Sequence, residues 1–120
     1  MPNDCSNQIT ITCENTKELQ DLIETKLKTT SGLYHKHIYP IKNCPKGIKF
    51  EQLTAWKPDY EWLESLIAQY PNCWIKNEWH EEGGMAGVWV GTSKTGVQSI
   101  EWIDLSIEEE YEIFQKHIEM

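Results

Sequence analysis

Twice along this chain the hydrophobic period switches from that of a strand to that of a helix and back, and this repetition limits the possible folds more than any other feature. Gln8 to Cys13 sets Ile9, Ile11 and Cys13 against Gln8, Thr10 and Thr12, the alternation of a strand with one buried face. Asn15 with Glu18 reads as a capping box, and Leu19, Leu22, Ile23 and Leu27 then recur at helical spacing, ending near Thr29 to Gly32. Leu33 to Ile41 reads as a strand or edge segment, and Asn43 to Gly47, with Pro45 inside it, as a turn. Ile48 and Phe50 restart the alternation, which runs on to Thr54-Ala55-Trp56. Pro58 fits the first turn of a second helix, where its missing N–H costs nothing; Leu63, Leu66, Ile67 and Tyr70 form its apolar stripe and Pro71 ends it.

Three more strands are expected at Cys73 to His80, Met85 to Thr92 and Val97 to Asp104, separated by the turn signals Gly83-Gly84 and Lys94-Thr95-Gly96. Ser106 with Glu109 is a further capping box, and Ile107, Tyr111, Phe114 and Ile118 give a closing helix one apolar stripe. Two strand-helix-strand units with antiparallel strands between and after them predict an α+β, ferredoxin-like sandwich: an antiparallel sheet, two helices on one face, a C-terminal hairpin extension and a third helix. With no linker or repeat, residues 1–120 read as a single domain. Six tryptophans are more than such a core needs, and on the late strands they fall on both faces. Some must lie on the helix-free face or its rim.

Composition narrows the function. Nineteen acidic residues against 11 basic ones give a net charge of −8, and the chain has no arginine. Guanidinium is the group that forks onto phosphates and base edges, and an acidic surface repels a polyanion, so direct nucleic-acid binding is disfavoured. An acidic face can instead occupy the basic groove of a nucleic-acid enzyme. No apolar run reaches membrane-spanning length and Met1-Pro2-Asn3-Asp4 is not the basic start of a signal peptide, which predicts a cytoplasmic protein away from membranes. Cys5, Cys13, Cys44 and Cys73 lie far apart, without the close pairs that zinc sites favour, and read as buried small residues or unpaired thiols.

Chemical constellations are few. His35 and His37 would share one side of a strand, and could join His80, Glu81 and Glu82 at a metal only if the fold converged on them. His80-Glu81-Glu82 is not followed by a second histidine at zinc-protease spacing. Glu78, Glu81 and Glu82 crowd one turn, but acid-base work needs burial to split their pKa values, and a Gly-Gly turn is expected to be exposed. No nucleophile elbow, phosphate loop or dinucleotide-binding turn is present. No catalytic residues, metal site or cofactor are therefore expected. For contact the sequence singles out Trp56, Trp74, Trp79 and Trp89, since tryptophan buries the largest area per ordered side chain, with His80, Glu81 and Glu82 beside them.

The start Met1-Pro2-Asn3-Asp4-Cys5-Ser6-Asn7, the Thr54-Ala55-Trp56 run with Pro58, the Tyr70-Pro71 stop and the Glu81 to Gly87 segment together resemble a family of small phage and plasmid proteins with a ferredoxin-like domain, the Api-like or YubB-like proteins. Asp4 stands where that family usually has tryptophan, and Trp79 near its usual tyrosine. The resemblance implies a phage or mobile-element accessory protein and carries over no catalytic residues. The expected function is a non-catalytic binding module docking onto a host protein, with an inhibitor of a defence or nucleic-acid enzyme as its specific form. The alternatives are a protein that binds or sequesters a small nucleotide-like ligand in a pocket of tryptophans and His80, and a self-assembling virion component or homodimer built through exposed strand edges.

Overall fold

The computed structural model describes residues 3–103. Its order is β1 (Asp4–Cys13), α1 (Thr16–Leu22), β2 (Ile38–Cys44), β3 (Gly47–Ala55), α2 (Tyr60–Gln69), β4 (Cys73–Glu81), β5 (Met85–Thr92) and β6 (Gly96–Ile103). The strands form one antiparallel sheet in the order β2-β3-β1-β4-β5-β6. The first four strands and both helices make the ferredoxin-like unit, and β5 and β6 widen the sheet beyond β4.

Alternation in β1 fixes the two faces. Cys5, Asn7, Ile9, Ile11 and Cys13 are buried on the helix side, whereas Gln8 and Thr12 are exposed on the other. Register carries the division across the sheet, because Ile9 lies opposite Phe50 on β3 and Asn77 on β4, and Asn77 opposite Trp89 on β5. Leu19, Leu22, Leu63 and Leu66 close the core over Ile9, Ile11, Phe50, Ile75 and Trp89. Such fully buried aliphatic side chains contribute about 1.5–3 kcal/mol each, so the core rather than helix propensity holds α1 and α2 in place.

Local chemistry sets most boundaries. Asn15 caps α1 by accepting from the N–H groups of Lys17 and Glu18. The helix then widens into a π turn over Ile23–Leu27, ended by Lys28 N–H donating to the Ile23 carbonyl. Pro58 lies just outside α2 and not in its first turn: Asp59 is the cap, accepting from Trp62 N–H.

The expected strand over Leu33 to Ile41 begins only at Ile38, so His35 and His37 lie in the preceding turn, with His37 at φ 73°. Their shared strand face does not exist. The strand instead continues to Cys44, which pairs with Gly47 around a Pro45-Lys46 turn, so most of the expected Asn43 to Gly47 turn is ladder. The expected closing helix with its Ser106 cap lies outside the described residues. No helix among the described residues is long and apolar enough to cross a membrane.

Candidate functional site

A polar network is built into the helix-side face at the end where β1 begins. Asn7 and Asn77 have no exposed surface and Glu81 is nearly buried. Asn77 Nδ2 donates to Asn7 Oδ1 at 2.9 Å. Asn7 Nδ2 in turn donates to Thr54 Oγ1 and to the Gln52 carbonyl, both at 2.9 Å. Thr54 Oγ1 passes its own hydrogen to the Lys57 carbonyl at 2.7 Å. The chain of donors thus runs from β4 through β1 to the loop after β3, each amide polarising the next in a low-dielectric setting.

That loop carries one of the two non-glycine residues with positive φ among the described residues. Trp56 has φ 70°, a region that bulky side chains rarely adopt. Lys57 N–H donates to the Ala55 carbonyl at 2.8 Å, so Trp56 is the central residue of a γ-turn of the positive-φ form, the rare and strained one. Trp56 N–H donates to the Asn3 carbonyl, also at 2.8 Å, which pins the turn to the chain entering β1. Trp56 remains 57% exposed. Backbone strain of about 1–3 kcal/mol persists only where surroundings over-determine it, and here the Thr54 and Asn3 contacts do so.

Glu81 anchors the neighbouring corner. Its Oε1 accepts from Asn3 Nδ2 and from Gly83 N–H, each at 2.7 Å. The expectation that the Gly-Gly turn leaves its carboxylates in water is corrected for this residue: alternation turns Glu81 inward, opposite Cys5. Glu82 is exposed, and Glu78 faces the helix-free side in an ion pair with Lys76 at 2.9 Å. The three carboxylates therefore point in different directions and do not form an acid-base pair. Burial pushes the Cys5 thiol above its usual range, and burial followed by the bond from its hydroxyl to Glu101 Oε1 (2.8 Å) pushes the Tyr60 phenol up. Neither group is primed to ionise near neutral pH.

The other sequence candidates separate by face. Trp79 and Trp89 are 6% and 2% exposed on the helix side, where they serve the interior. The Trp79 N–H lies near enough to the Tyr60 hydroxyl to oppose its rise without reaching hydrogen-bond geometry, and Trp79 Nε1, like Asn77 Oδ1, is buried without a hydrogen-bond partner among the described residues. Trp74 and His80 lie on the helix-free face, in register with Thr12 and Ser6. The structure brings Trp79 and Glu81 to the network near Trp56 and leaves Trp74 and His80 on the opposite side.

Asn77 belongs to none of the motifs, and Asn3, Asn7 and Thr54 stand only in the segments that carry the family resemblance, not among the contact candidates. The available signal was phase: Asn7 and Asn77 occupy apolar positions of otherwise buried alternations, between Cys5 and Ile9 and between Ile75 and Trp79.

Beside Trp56 an open groove is lined by Thr54, Ala55, Lys57, Pro58, Asp59 and Tyr60. Asp4, Asp59, Glu61 and Glu82 are exposed around this end of the sandwich, with Lys57 among them. A family model described as a ferredoxin-like domain in Api92-like protein matches residues 34–119. No curated protein and no solved structure matches the chain.

Proposed function

This chain belongs to the family of ferredoxin-like domains in Api92-like proteins, and we propose that it is a non-catalytic binding module that engages a partner protein through Trp56. The observation that carries the reading is a tryptophan left 57% exposed on a positive-φ γ-turn that a buried hydrogen-bond network holds in place. A folded chain has no need of an exposed, strained tryptophan for its own stability. As a pre-organised anchor it is useful, since tryptophan dominates binding hot spots and a turn already fixed in shape loses little entropy on docking.

Charge describes the partner. Asp4, Asp59, Glu61 and Glu82, exposed at the same end of the sheet as Trp56, favour an apolar pocket with a basic rim. The resemblance to phage and plasmid proteins supports reading that partner as a host protein, and a basic-rimmed cleft is what a nucleic-acid or defence enzyme would offer to an acidic inhibitor. The groove beside Trp56 is open rather than enclosed, which favours a protein surface over the small-ligand alternative.

The test uses Trp56→Gly, which removes the indole and suits the backbone conformation. Strain relief and the greater chain entropy of glycine oppose each other, so stability is expected within about 1 kcal/mol of the parent. Capture from host lysate with parent and variant side by side, followed by titration of the purified partner, should show a protein held by the parent and released by Trp56→Gly. Identical capture by the two folded proteins would remove Trp56 from the binding surface.

A further inference from the structure

Cys13, the last residue of β1, and Cys73, the first of β4, face each other directly in the sheet register and are both buried on the helix side. Cys13 N–H donates to the Lys46 carbonyl at 2.9 Å, on the β3 side. Backbone groups alternate sides along a strand, so Cys13 and Cys73 form a non-hydrogen-bonded pair, the type whose side chains lie closest. Glu18, in the first turn of α1, reaches over them. The two Sγ atoms and a Glu18 carboxylate oxygen all lie within 4.8 Å of one another.

We propose that Cys13, Cys73 and Glu18 form a binding site for a thiophilic divalent cation of the zinc class. Zinc bonds of about 2.3 Å to sulfur and about 2.1 Å to oxygen place tetrahedral ligand atoms about 3.5–3.8 Å apart. The required contraction is at most about 1.3 Å along any edge, within reach of small side-chain rotations. Asn72 fixes the carboxylate from behind: its backbone N–H donates to Glu18 Oε1 at 3.1 Å and its Nδ2 to Oε2 at 2.8 Å. Each oxygen keeps a lone pair for the metal, and outer bonds of this kind orient a ligating carboxylate.

Cys13 also borders an open concavity at this end of the sheet, lined in part by Lys46, Asn72 and Lys94. Binding replaces two S–H bonds with two metal–sulfur bonds and releases two protons. Two thiolates and a carboxylate against a divalent ion leave one negative charge, which Lys46 and Lys94 on the same concavity offset.

The experiment titrates Co²⁺ and then Cd²⁺ into the chelator-treated, reduced full chain while following thiolate-to-metal charge-transfer absorption. One equivalent should bind, give the tetrahedral cobalt spectrum, release two protons and be displaced by Zn²⁺. Cys44→Ser should leave this unchanged, since Cys44 is exposed and outside the cluster. Cys73→Ser should abolish the band, and Asn72→Ala should weaken binding by about tenfold or more. Because a core cysteine variant can fail to fold, Glu18→Gln provides the second arm: helical, folded protein with lost affinity is expected. Absence of the band in the parent, or a band that survives in folded Cys73→Ser or keeps its affinity in Glu18→Gln, would overturn the site.

Discussion

Asn77 donates its amide hydrogen to Asn7 Oδ1 across the β1–β4 boundary at 2.9 Å, and neither side chain reaches solvent. Two amides on a sheet face otherwise filled by Ile9, Ile75 and Trp89 cost the core apolar area. Their return is positional: Asn7 also holds Thr54, and Thr54 holds the turn that displays Trp56. A polar pair in the interior thereby fixes the shape of a surface loop.

Breaking that pair from one side should be worse than removing it. Asn7→Leu leaves the buried Asn77 amide without its acceptor, and we expect a loss of about 2 kcal/mol. Asn77→Leu alone should cost a similar amount. The double variant replaces both partners with apolar groups of similar size, and its loss should fall below the sum of the singles. Urea unfolding of the four proteins measures the cycle; strict additivity would mean that the pair is not coupled.

Gly87 should tolerate no side chain. A Cβ there would lie 2.7 Å from the Ile100 carbonyl oxygen and equally close to Cε2 and Cζ2 of Trp79. The carbonyl belongs to the neighbouring strand and cannot retreat without disturbing the β5–β6 ladder, while Trp79 is enclosed. Gly87→Ala is therefore expected to destabilise by about 1–3 kcal/mol, with a changed near-ultraviolet tryptophan signal reporting the displaced indole. An unchanged unfolding midpoint would show that the indole does not pack on this glycine.

Alkaline pH should unfold the protein through its tyrosines. Burial, and then the bond from its hydroxyl to Asp21 Oδ2 at 2.8 Å, push Tyr70 up to about 12. Tyr60 moves in the same direction. A phenol with a raised folded-state pKa contributes stability that is fully present below the unfolded value of about 10 and is lost as pH rises through the folded value. Melting temperature should therefore be level with respect to these groups up to about pH 10 and fall above it, and Tyr70→Phe should make the fall shallower. The same slope in Tyr70→Phe would exclude Tyr70 as a source.

Much of the fold is written in local patterns. The alternation of Ile9, Ile11 and Cys13, the Asn15 cap and the stripe Leu63, Leu66, Ile67 and Tyr70 each have a physical cause within a few residues of themselves, and the structure contains those elements. Boundaries were less legible where sequence signals compete. Pro45 marks a turn but does not show how little of its neighbourhood leaves the ladder, and Pro58 favours a helix start without showing that Asp59 takes the cap.

The sequence by itself determined the period of each segment, the charge and the absence of arginine, and hence the elements and the disfavoured partners. Tertiary structure alone decided which residues meet. Period two says that Trp79, Glu81 and Asn77 share a face, but only the helices packed on that face make it the buried one. It says nothing of which strand lies alongside, and the adjacency of β1 and β4 is what joins Asn7 to Asn77 and Cys13 to Cys73. The exposed Trp56 likewise follows from distant contacts through Asn3, Asn7 and Thr54, because a positive-φ tryptophan is unfavourable locally and is sustained only by a network that closes after the sheet has formed.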